Sequence, residues 1–426
     1  MKWREFKLGN IVSIKHGYAF KGAFFVDTPT KNILLTPGNF NIGGGFKKDK
    51  LKYYLGEIPQ DYILSEGDVI VTMTDLSKKA DTLGFSARIP KDNSKTFLHN
   101  QRIGLVQLID DSFDIGFMHW LMRSVHYQQF VAGSATGATV KHTSPSKIYA
   151  FKFKAPTDKN EQQKIAHILS AYDDLIENNL KRIKLLEEIA QITYEEWFVR
   201  MKFPGYEPAV IDPETCLPEG WVRKTLNKGV NVNPTTKVSK KDLAPFVPMG
   251  ALSVNSMVIF GVEERKPSGG AKFINGDTLV ARITPCLENG KTGYVDFLSD
   301  GQIATGSTEF IVLRETELVN RFYIYCMSRS EYFRELSIRS MAGSDGRQRV
   351  NPKIYGKMLL SIPTKDIMDS FEKRMKPVFN SIKTLVQENQ CLKEARDILL
   401  PRLMTGMIDV NTLDLPKQIE REKEVA

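Results

Sequence analysis

The sequence contains one pattern twice, and this internal repeat restricts the possible folds more than any other feature. Short motifs return in the same order roughly 210 residues later. The first copy of the pattern consists of Trp3, Gly67-Asp68-Val69, Gly133-Ser134, Lys147-Ile148-Tyr149 and Pro156-Thr157. The second copy consists, in the same order, of Trp221, Gly276-Asp277-Thr278, Gly343-Ser344, Lys353-Ile354-Tyr355 and Pro363-Thr364. The repeat predicts two similar half-molecules, 1–210 and 211–410, followed by a charged tail.

Each half begins with a long segment that is rich in strand signals. In the first half, residues 33–36, 68–72 and 103–108 are apolar or β-branched runs bounded by Gly, Pro and Asn, which predict strands. Apolar spacings of three and four residues then predict one helical segment in each half. The residues concerned are Phe117, Leu121 and Val125, and Phe322, Cys326, Phe333 and Leu336.

Each half ends in a long run with apolar residues at alternating spacings of four and three. This pattern keeps one side of a helix against a partner helix and is typical of a coiled coil. The predicted contact residues of the first run are Ile165, Leu169, Tyr172, Ile176, Asn179, Ile183 and Leu186. Those of the second run are Phe371, Val378, Ile382, Leu385, Asn389, Leu392 and Leu399. Because the two runs are equal in length, we expect them to pair antiparallel within the chain.

Individual residues refine the prediction for these two helices. Asn179 and Asn389 each interrupt an apolar seam, and a buried Asn penalises shifted pairings, so we interpret both as register devices. Thr157 or Asp158 with Glu161 predicts the start of the first helix. Pro377 predicts a kink or a late start of the second helix, whose end is predicted by Pro401 and Gly406.

The predicted fold class is α+β, with a pseudo-twofold internal repeat. Two similar globular α/β domains are separated by two long antiparallel helices that form a coiled coil. The predicted boundaries are 1–155 for the first domain, 156–205 for the first helix, 206–361 for the second domain, 362–408 for the second helix and 409–426 for the tail.

Charge and composition favour an anionic partner in a reducing compartment. The formal net charge is +9, and the excess of Lys and Arg falls within 1–155 and 206–361, as expected for domains that neutralise phosphates. The four cysteines have no pairing pattern. No apolar run is long enough for a membrane span, and the first residues lack a signal-peptide core. We therefore expect a cytoplasmic protein without membrane contact.

Motifs for catalysis or metal binding are missing from the sequence. The six histidines are scattered, and we expect no metal site. Gly290-Lys291-Thr292 resembles the end of a phosphate-binding loop, but Pro285 stands where the first Gly is required and a strand pattern follows. We find neither the Asn/Asp-Pro-Pro-aromatic tetrad of an amino-methyltransferase nor a nuclease carboxylate cluster. The sequence thus favours a binding protein over an enzyme.

Polar loops at matching places in the two halves are the candidate DNA contacts, because base edges are read by polar and basic side chains on exposed elements. The candidates of the first half are Thr72, Thr74, Lys78, Lys79, Lys141 and His142. Those of the second half are Arg282, Thr284, Lys291, Arg347, Gln348 and Arg349. The copies differ most in side-chain identity, as expected if each reads a different DNA word.

Two segments resemble the specificity subunits of type I restriction-modification systems. One runs from Pro156 through Glu161-Gln162-Gln163 to Ile176, and the other is 399–406, Leu-Leu-Pro-Arg-Leu-Met-Thr-Gly. The resemblance implies two target-recognition domains, each reading half of a split double-stranded DNA site. It also implies a helical spacer that docks two modification subunits. The second helix departs from the family pattern at Pro377 and lacks the Glu-Gln-Gln run.

The same resemblance implies that this chain holds no catalytic residues and no cofactor. S-adenosylmethionine would be bound by the modification subunits, and ATP and magnesium by motor-nuclease restriction subunits. Two alternatives stay open at this point. The chain could be an enzyme with an unrecognised nuclease or methyltransferase site, or a coiled-coil adaptor with no nucleic-acid role.

Overall fold

The chain folds into two compact units. The computed structural model describes residues 1–48, 51–75, 77, 79–207, 209–239, 241–343 and 347–413. One unit comprises Met1–Ile176 and the segment from Cys391 onward, and the other is Glu177–Gln390. Both mix helices and sheets, and each contains part of both long helices.

The first unit is built around two sheets. A four-stranded antiparallel sheet has the order Val12–His16, Ile103–Leu108, Val69–Thr72 and Ser86–Arg88. A five-stranded sheet has the order Phe25–Val26, Lys52–Tyr54, Asn32–Leu34, Thr96–Leu98 and Ile63–Leu64, with its third and fourth strands parallel. Two strand pairs, Trp3–Lys7 with Lys152–Pro156 and Thr74–Asp75 with Lys141–His142, complete it.

The second unit repeats this topology, but its second sheet has four strands instead of five. One four-stranded sheet has the order Asn231–Val232, Phe310–Arg314, Thr278–Ala281 and Thr292–Tyr294. The other has the order Glu263–Arg265, Ala244–Val247, Ala304–Gly306 and Ala271–Phe273, again with parallel central strands. Val222–Thr225 pairs with Leu359–Ile362, Met341–Ala342 with Arg349–Val350, and Ile211–Asp212 with Leu217–Pro218. The shared strand order confirms the internal repeat.

Short helices join the strands, and one prediction about them was wrong. Where one helical segment was expected in each half there are two, Ile115–Leu121 with Val125–Gly133, and Arg321–Arg329 with Glu331–Arg339. Ser124 and Ser330 each accept a backbone hydrogen bond at the start of the second helix, so a new N-cap divides the apolar pattern. The other short helices are Pro145–Tyr149 and Leu226–Gly229, and the 3-10 turns are Leu8–Asn10, Gly22–Phe24, Pro37–Asn39, Gln60–Tyr62, Met249–Ala251, Pro352–Gly356 and Val410–Thr412.

The two long helices are Lys159–Tyr194, which continues into a π-helical turn at Glu195–Val199, and Lys365–Met404. Asp158 caps the first, its carboxylate accepting the amide of Asn160 at 2.9 Å. The second starts before Pro377 and runs through it, so the expected late start was wrong. Pro377 lies on the exposed side, where water can reach the carbonyl left without a donor.

Gly406 ends the second long helix and explains part of the motif at 399–406. Its φ of +74° lies in the left-handed region. A Cβ at this position would stand 2.7 Å from the Trp3 indole. Val410 in the following turn is buried in the first unit's core, so the predicted tail begins within packed structure. Residues 414–426 lie outside the described part of the chain.

Within each unit the long helices pack antiparallel, and their apolar seams are buried. In the first unit, Ile165 and Leu169 share a core cluster with Leu400 and Leu403. In the second, Ile183 and Trp197 share one with Leu385 and Phe371. The remaining predicted seam residues, Tyr172, Ile176, Leu186, Val378, Ile382, Leu392 and Leu399, are buried or half-buried. The Nδ2 of Asn179 donates to the Oδ1 of Asn389 at 3.1 Å.

The helices belong to the cores of the units rather than lying beside them. The cluster containing Ile165 also contains Trp120 and Phe153 of the first globular region. In the second unit, the ring of Phe379 lies 5.0 Å from that of Tyr294. Each globular region is therefore stabilised by the helix pair that packs against it.

A buried ion cluster attaches both long helices to the first globular region. The Arg123 guanidinium, of which 3% of the side chain is exposed, pairs with Asp173 of the first long helix. Arg396 of the second long helix pairs with the other oxygen of Asp173 at 2.5 Å. Arg123 also stacks over Trp120 at 4.2 Å and donates to the carbonyl of Gly43 at 3.1 Å. Asp173 is thus the shared counter-ion of two arginines.

We predict that Asp173→Asn destabilises the protein by about 3–5 kcal/mol, because a buried charge without its counter-ion is costly. Glu188→Gln is the matched control, since Glu188 forms an exposed ion pair with Lys184 on the same helix at 3.6 Å. The control is expected to change stability by less than about 1 kcal/mol. Chemical denaturation of both variants measures the difference, and equal effects would contradict the role assigned to Asp173.

Candidate nucleic-acid interface

The two predicted loops of each half meet beside the four-stranded sheet. In the first unit, Thr74 pairs with His142 and Asp75 with Lys141. In the second, Ile283 forms the corresponding bridge with Arg349. Each pairing lies just beyond a central strand, Val69–Thr72 or Thr278–Ala281. The structure therefore places both candidate loops of one unit on one surface.

Backbone hydrogen bonds define which residues correspond between the units. The amide of Thr143 donates to the carbonyl of Met73 at 3.0 Å, and that of Val350 donates to Arg282 at 2.8 Å. The amide of Met73 donates to Arg102 at 3.1 Å, and that of Arg282 to Glu309 at 3.0 Å. Met73, Arg102 and His142 therefore correspond to Arg282, Glu309 and Arg349.

In the first unit, the candidate residues differ in exposure. Lys79 and His142 are exposed and Lys141 is half-buried. Thr72 is fully buried and its hydroxyl donates to the carbonyl of Thr74 at 2.8 Å, so it does not face solvent as a DNA contact would. Thr74 is 4% exposed, with its Oγ1 3.3 Å from the Nδ1 of His142. Lys78 lies outside the described residues.

Asp75, which the sequence reasoning missed, shapes the first of these loops. Its carboxylate accepts the amide of Ser77 at 2.6 Å and the amide and hydroxyl of Thr82 at 2.7 Å each. Burial raises the pKa of this carboxyl, but the hydrogen bonds together outweigh it and hold the pKa below its ordinary value of 3.8. An ionised Asp75 therefore fixes the loop at neutral pH.

In the second unit, Glu309 joins two of the candidate arginines. Its Oε2 accepts from the Nε of Arg282 at 3.1 Å. Its Oε1 accepts from the Nε and Nη2 of Arg349 at 2.9 and 2.8 Å. Hydrogen bonding from the Arg349 side chain is the main reason that the pKa of Glu309 lies below its ordinary value of 4.5. The cluster therefore contains one carboxylate and two guanidinium groups.

The other candidates of the second unit hold the loops or face solvent. The Thr284 hydroxyl donates to the carbonyl of Gln348 at 3.0 Å. The Lys291 ammonium donates to the carbonyl of Met249 at 3.1 Å, so this residue is turned away from an open surface position. Gln348 is half-buried and Arg347 is exposed.

Two more loops lie at the same end of each sheet and were missed from the sequence. In the first unit, Tyr18 forms a bridge with Asn100, next to the exposed side chains of Gln101 and Arg102. In the second, a surface cleft of about 420 Å³ is lined by Asn233, Thr236, Lys272 and Arg282, among others. These loops could have been found from the predicted pairing of the strands. In an antiparallel pair, the loop before one strand lies next to the loop after the other strand.

The described residues show neither a candidate metal site nor a candidate membrane span. Across the described ranges, no group of three or more His, Cys, Asp or Glu side chains could hold a metal ion. His99 and His119 are buried, and burial lowers the pKa of each imidazole. Within the same ranges, every helix is too short or too polar to cross a bilayer.

The chain is similar to known specificity subunits of type I restriction-modification systems. A family model for the type I restriction modification DNA specificity domain matches residues 1–188. The type I restriction enzyme MjaIX specificity subunit of Methanocaldococcus jannaschii is 24% identical over 312 residues, 70% of this chain and 70% of that protein. The EcoAI specificity subunit of Escherichia coli is 28% identical over 204 residues, 46% of this chain and 34% of that protein. Residues 1–188 therefore match the type I restriction-modification specificity domain, and most of the chain is similar to a whole specificity subunit.

The fold of the chain agrees with a solved structure. The crystal structure of a type I restriction-modification S subunit from M. genitalium matches with a TM-score of 0.56 and 14% identity. The match covers 94% of this chain and 96% of the other. At this identity the likeness concerns the fold alone.

We predict that Asp75→Asn loosens the loop at 75–82 without unfolding the first unit. Amide hydrogen exchange of Ser77 and Thr82 is expected to accelerate roughly 10- to 100-fold, since hydrogen bonds to a charged group contribute about 1.5–3 kcal/mol. Asp27→Asn, at an exposed position, is the control and is expected to leave both rates unchanged.

The same loop should respond to acid in the wild-type protein. Because the pKa of Asp75 is lowered in the folded state, its stabilisation is complete above the ordinary value of 3.8 and disappears as the pH falls through the lowered pKa. If the Thr82 amide already exchanges without protection at neutral pH, this role of Asp75 is contradicted.

Proposed function

We propose that this chain is a non-catalytic specificity subunit of a type I restriction-modification system and that each unit reads one half of a bipartite site in double-stranded DNA. The observation that carries the proposal is the pair of equivalent loop surfaces with different side chains. Met73, Arg102 and His142 in one unit correspond to Arg282, Glu309 and Arg349 in the other. Different donors and acceptors on equivalent scaffolds select different base pairs.

The charge of the two globular segments supports DNA as the partner. The first unit presents exposed Lys79 and Arg102 beside its paired loops. Such side chains neutralise phosphates and release counter-ions, which strengthens binding without reading sequence. The base edges are then read by the loop side chains.

The paired helices determine the separation of the two words in this proposal. The Asn179–Asn389 hydrogen bond supports one fixed register of the helix pair. A stiff connection makes the second half-site contact an intramolecular event, which raises affinity and rejects sites with the wrong spacing.

The same helices dock two modification subunits, which are methyltransferases. Leu185, Ile189 and Ile192 support this role, since they follow a four-three spacing outside the seam and are 58%, 47% and 59% exposed. S-adenosylmethionine is bound by the modification subunits, and ATP and magnesium by motor-nuclease restriction subunits. This chain contributes no cofactor of its own, and the complex acts in the cytoplasm.

We predict that deleting residues 176–182 together with 386–392 shortens the preferred gap between the two half-sites. The segments contain the facing Asn179 and Asn389, so neither is left without its partner. Seven residues make nearly two helical turns and about 10 Å, which corresponds to a gap shorter by up to ~3 base pairs. Mapping of methylated sites in a host that carries the chain with its modification subunit measures the gap.

The matched control deletes 176–182 alone, which mismatches the two helices and should abolish methylation. The double deletion should leave both half-site words unchanged. Altered words at unaltered spacing would contradict the spacer role.

We also predict that exchanging residues 1–150 for those of another specificity subunit changes one half-site word only. The second unit, Glu177–Gln390, is retained whole in such a chimera. The same methylation map measures both words. Simultaneous change of both words would show that the units do not read independently.

A further inference from the structure

The Arg282–Glu309–Arg349 cluster is arranged for a task beyond holding the loops together. Glu309 engages Arg282 through Nε alone, at 3.1 Å. It engages Arg349 through both Nε and Nη2. The Glu309 side chain is 19% exposed, whereas the Arg282 and Arg349 side chains are 31% and 44% exposed. The carboxylate thus lies beneath two guanidinium groups that reach solvent.

The outer end of Arg282 is available to a ligand. Within the described ranges, its Nη1 and Nη2 atoms have no hydrogen-bond partner, because only Nε is engaged. Arg282 also lines the cleft that contains Asn233, Thr236 and Lys272. An arginine fixed at Nε presents Nη1 and Nη2 as two parallel donors, and the O6 and N7 atoms of guanine in the major groove are two adjacent acceptors.

The carboxylate favours a base edge over a phosphate as the ligand of this fork. Phosphate binding depends on net positive charge, and Glu309 cancels part of that charge and repels a phosphate. Base reading depends on the direction of the N–H groups, which the carboxylate fixes. We propose that the second unit reads a guanine in its half-site through Arg282, with Glu309 and Arg349 as positioning residues. This inference rests on the proposed DNA-reading function.

The first unit provides an internal comparison. Its residues at the equivalent positions are Met73, Arg102 and His142, so the arginine–carboxylate arrangement is not repeated there. Met73 is 4% exposed and has no hydrogen-bond donor in its side chain. Changes in the Arg282 cluster should therefore affect one word of the bipartite site and leave the other intact.

The experiment maps methylated sites in hosts that carry the modification subunit with the wild-type chain, Arg282→Ala, Arg282→Lys or Glu309→Gln. Glu263→Gln is the matched control, because Glu263 forms an arginine–glutamate pair with Arg265 on a different strand pair of the same unit. The wild type and the control should require a guanine at one position of one word. Both Arg282 variants should accept other bases there, with discrimination reduced roughly 10- to 100-fold.

Glu309→Gln separates positioning from a purely structural role. The amide is neutral, so the purified complex should bind unrelated double-stranded DNA more tightly and with a steeper salt dependence, while its preference for the guanine falls. A structural defect would instead lower both. On wild-type complex, 7-deazaguanine at that position should weaken binding as much as a base change, whereas inosine, which keeps O6 and N7, should not.

Each outcome supports or overturns a defined statement. Loss of the guanine requirement in the Arg282 variants, with the other word unchanged, supports the inference. The inference about Arg282 is overturned if neither word contains a guanine whose recognition depends on Arg282, or if the complex fully tolerates 7-deazaguanine. In either case the proposal that the chain reads a bipartite site is unaffected. A wild-type chain that directs methylation to no bipartite site overturns the proposed function as well.

Discussion

Burial of the two long helices in the cores of both units is the constraint on which the rest of the structure depends. Ile165 and Leu169 pack with residues of the first globular region, and Phe371 and Phe379 with those of the second. In proteins most of the stability of a helix comes from packing of its apolar face, so the helices of 36 and 40 residues depend on these contacts. The globular regions in turn depend on the helices to complete their apolar cores.

Polar groups inside this apolar framework select one arrangement among several. The Asn179–Asn389 hydrogen bond would be lost in a helix pair shifted along its axis. Asp173 similarly pairs with Arg123 and Arg396 only when both helices are correctly placed on the first unit. Buried pairs of this kind contribute little net stability, because desolvation offsets their attraction, but unpaired they are costly. Their role is therefore to penalise wrong packing.

In the proposed reading surface of each unit, a buried or half-buried carboxylate holds neighbouring groups in place by accepting hydrogen bonds. Asp75 fixes a loop of the first unit by accepting hydrogen bonds from Ser77 and Thr82. Glu309 fixes two arginines of the second unit. In both cases the pKa of the carboxyl lies below its ordinary value, so each is ionised at neutral pH. The two units thus share a backbone topology but differ in the side chains that fix their loops.

Much of the architecture follows from local patterns in the sequence. The four-three spacing predicted the seam residues because helical periodicity depends on neighbours along the chain. The repeated motifs predicted two units of like topology, which the matching strand orders confirm. The grouping of the polar loops into pairs followed from the same repeat, since equivalent strands are followed by equivalent loops.

Exposure and partner choice were decided by the tertiary structure alone. Thr72 and Thr74 look like surface hydroxyls in the sequence but are buried. Thr72 lies in a central strand of the sheet, and Thr74 pairs with the neighbouring loop. Glu309 carries no local signal, since its arginine partners are 27 and 40 residues away along the chain. The sequence by itself determined the repeat, the two seams and the placement of polar loops, all of which rest on short-range spacing. Only the fold decided which side chains meet, because those contacts join segments that are distant in the chain.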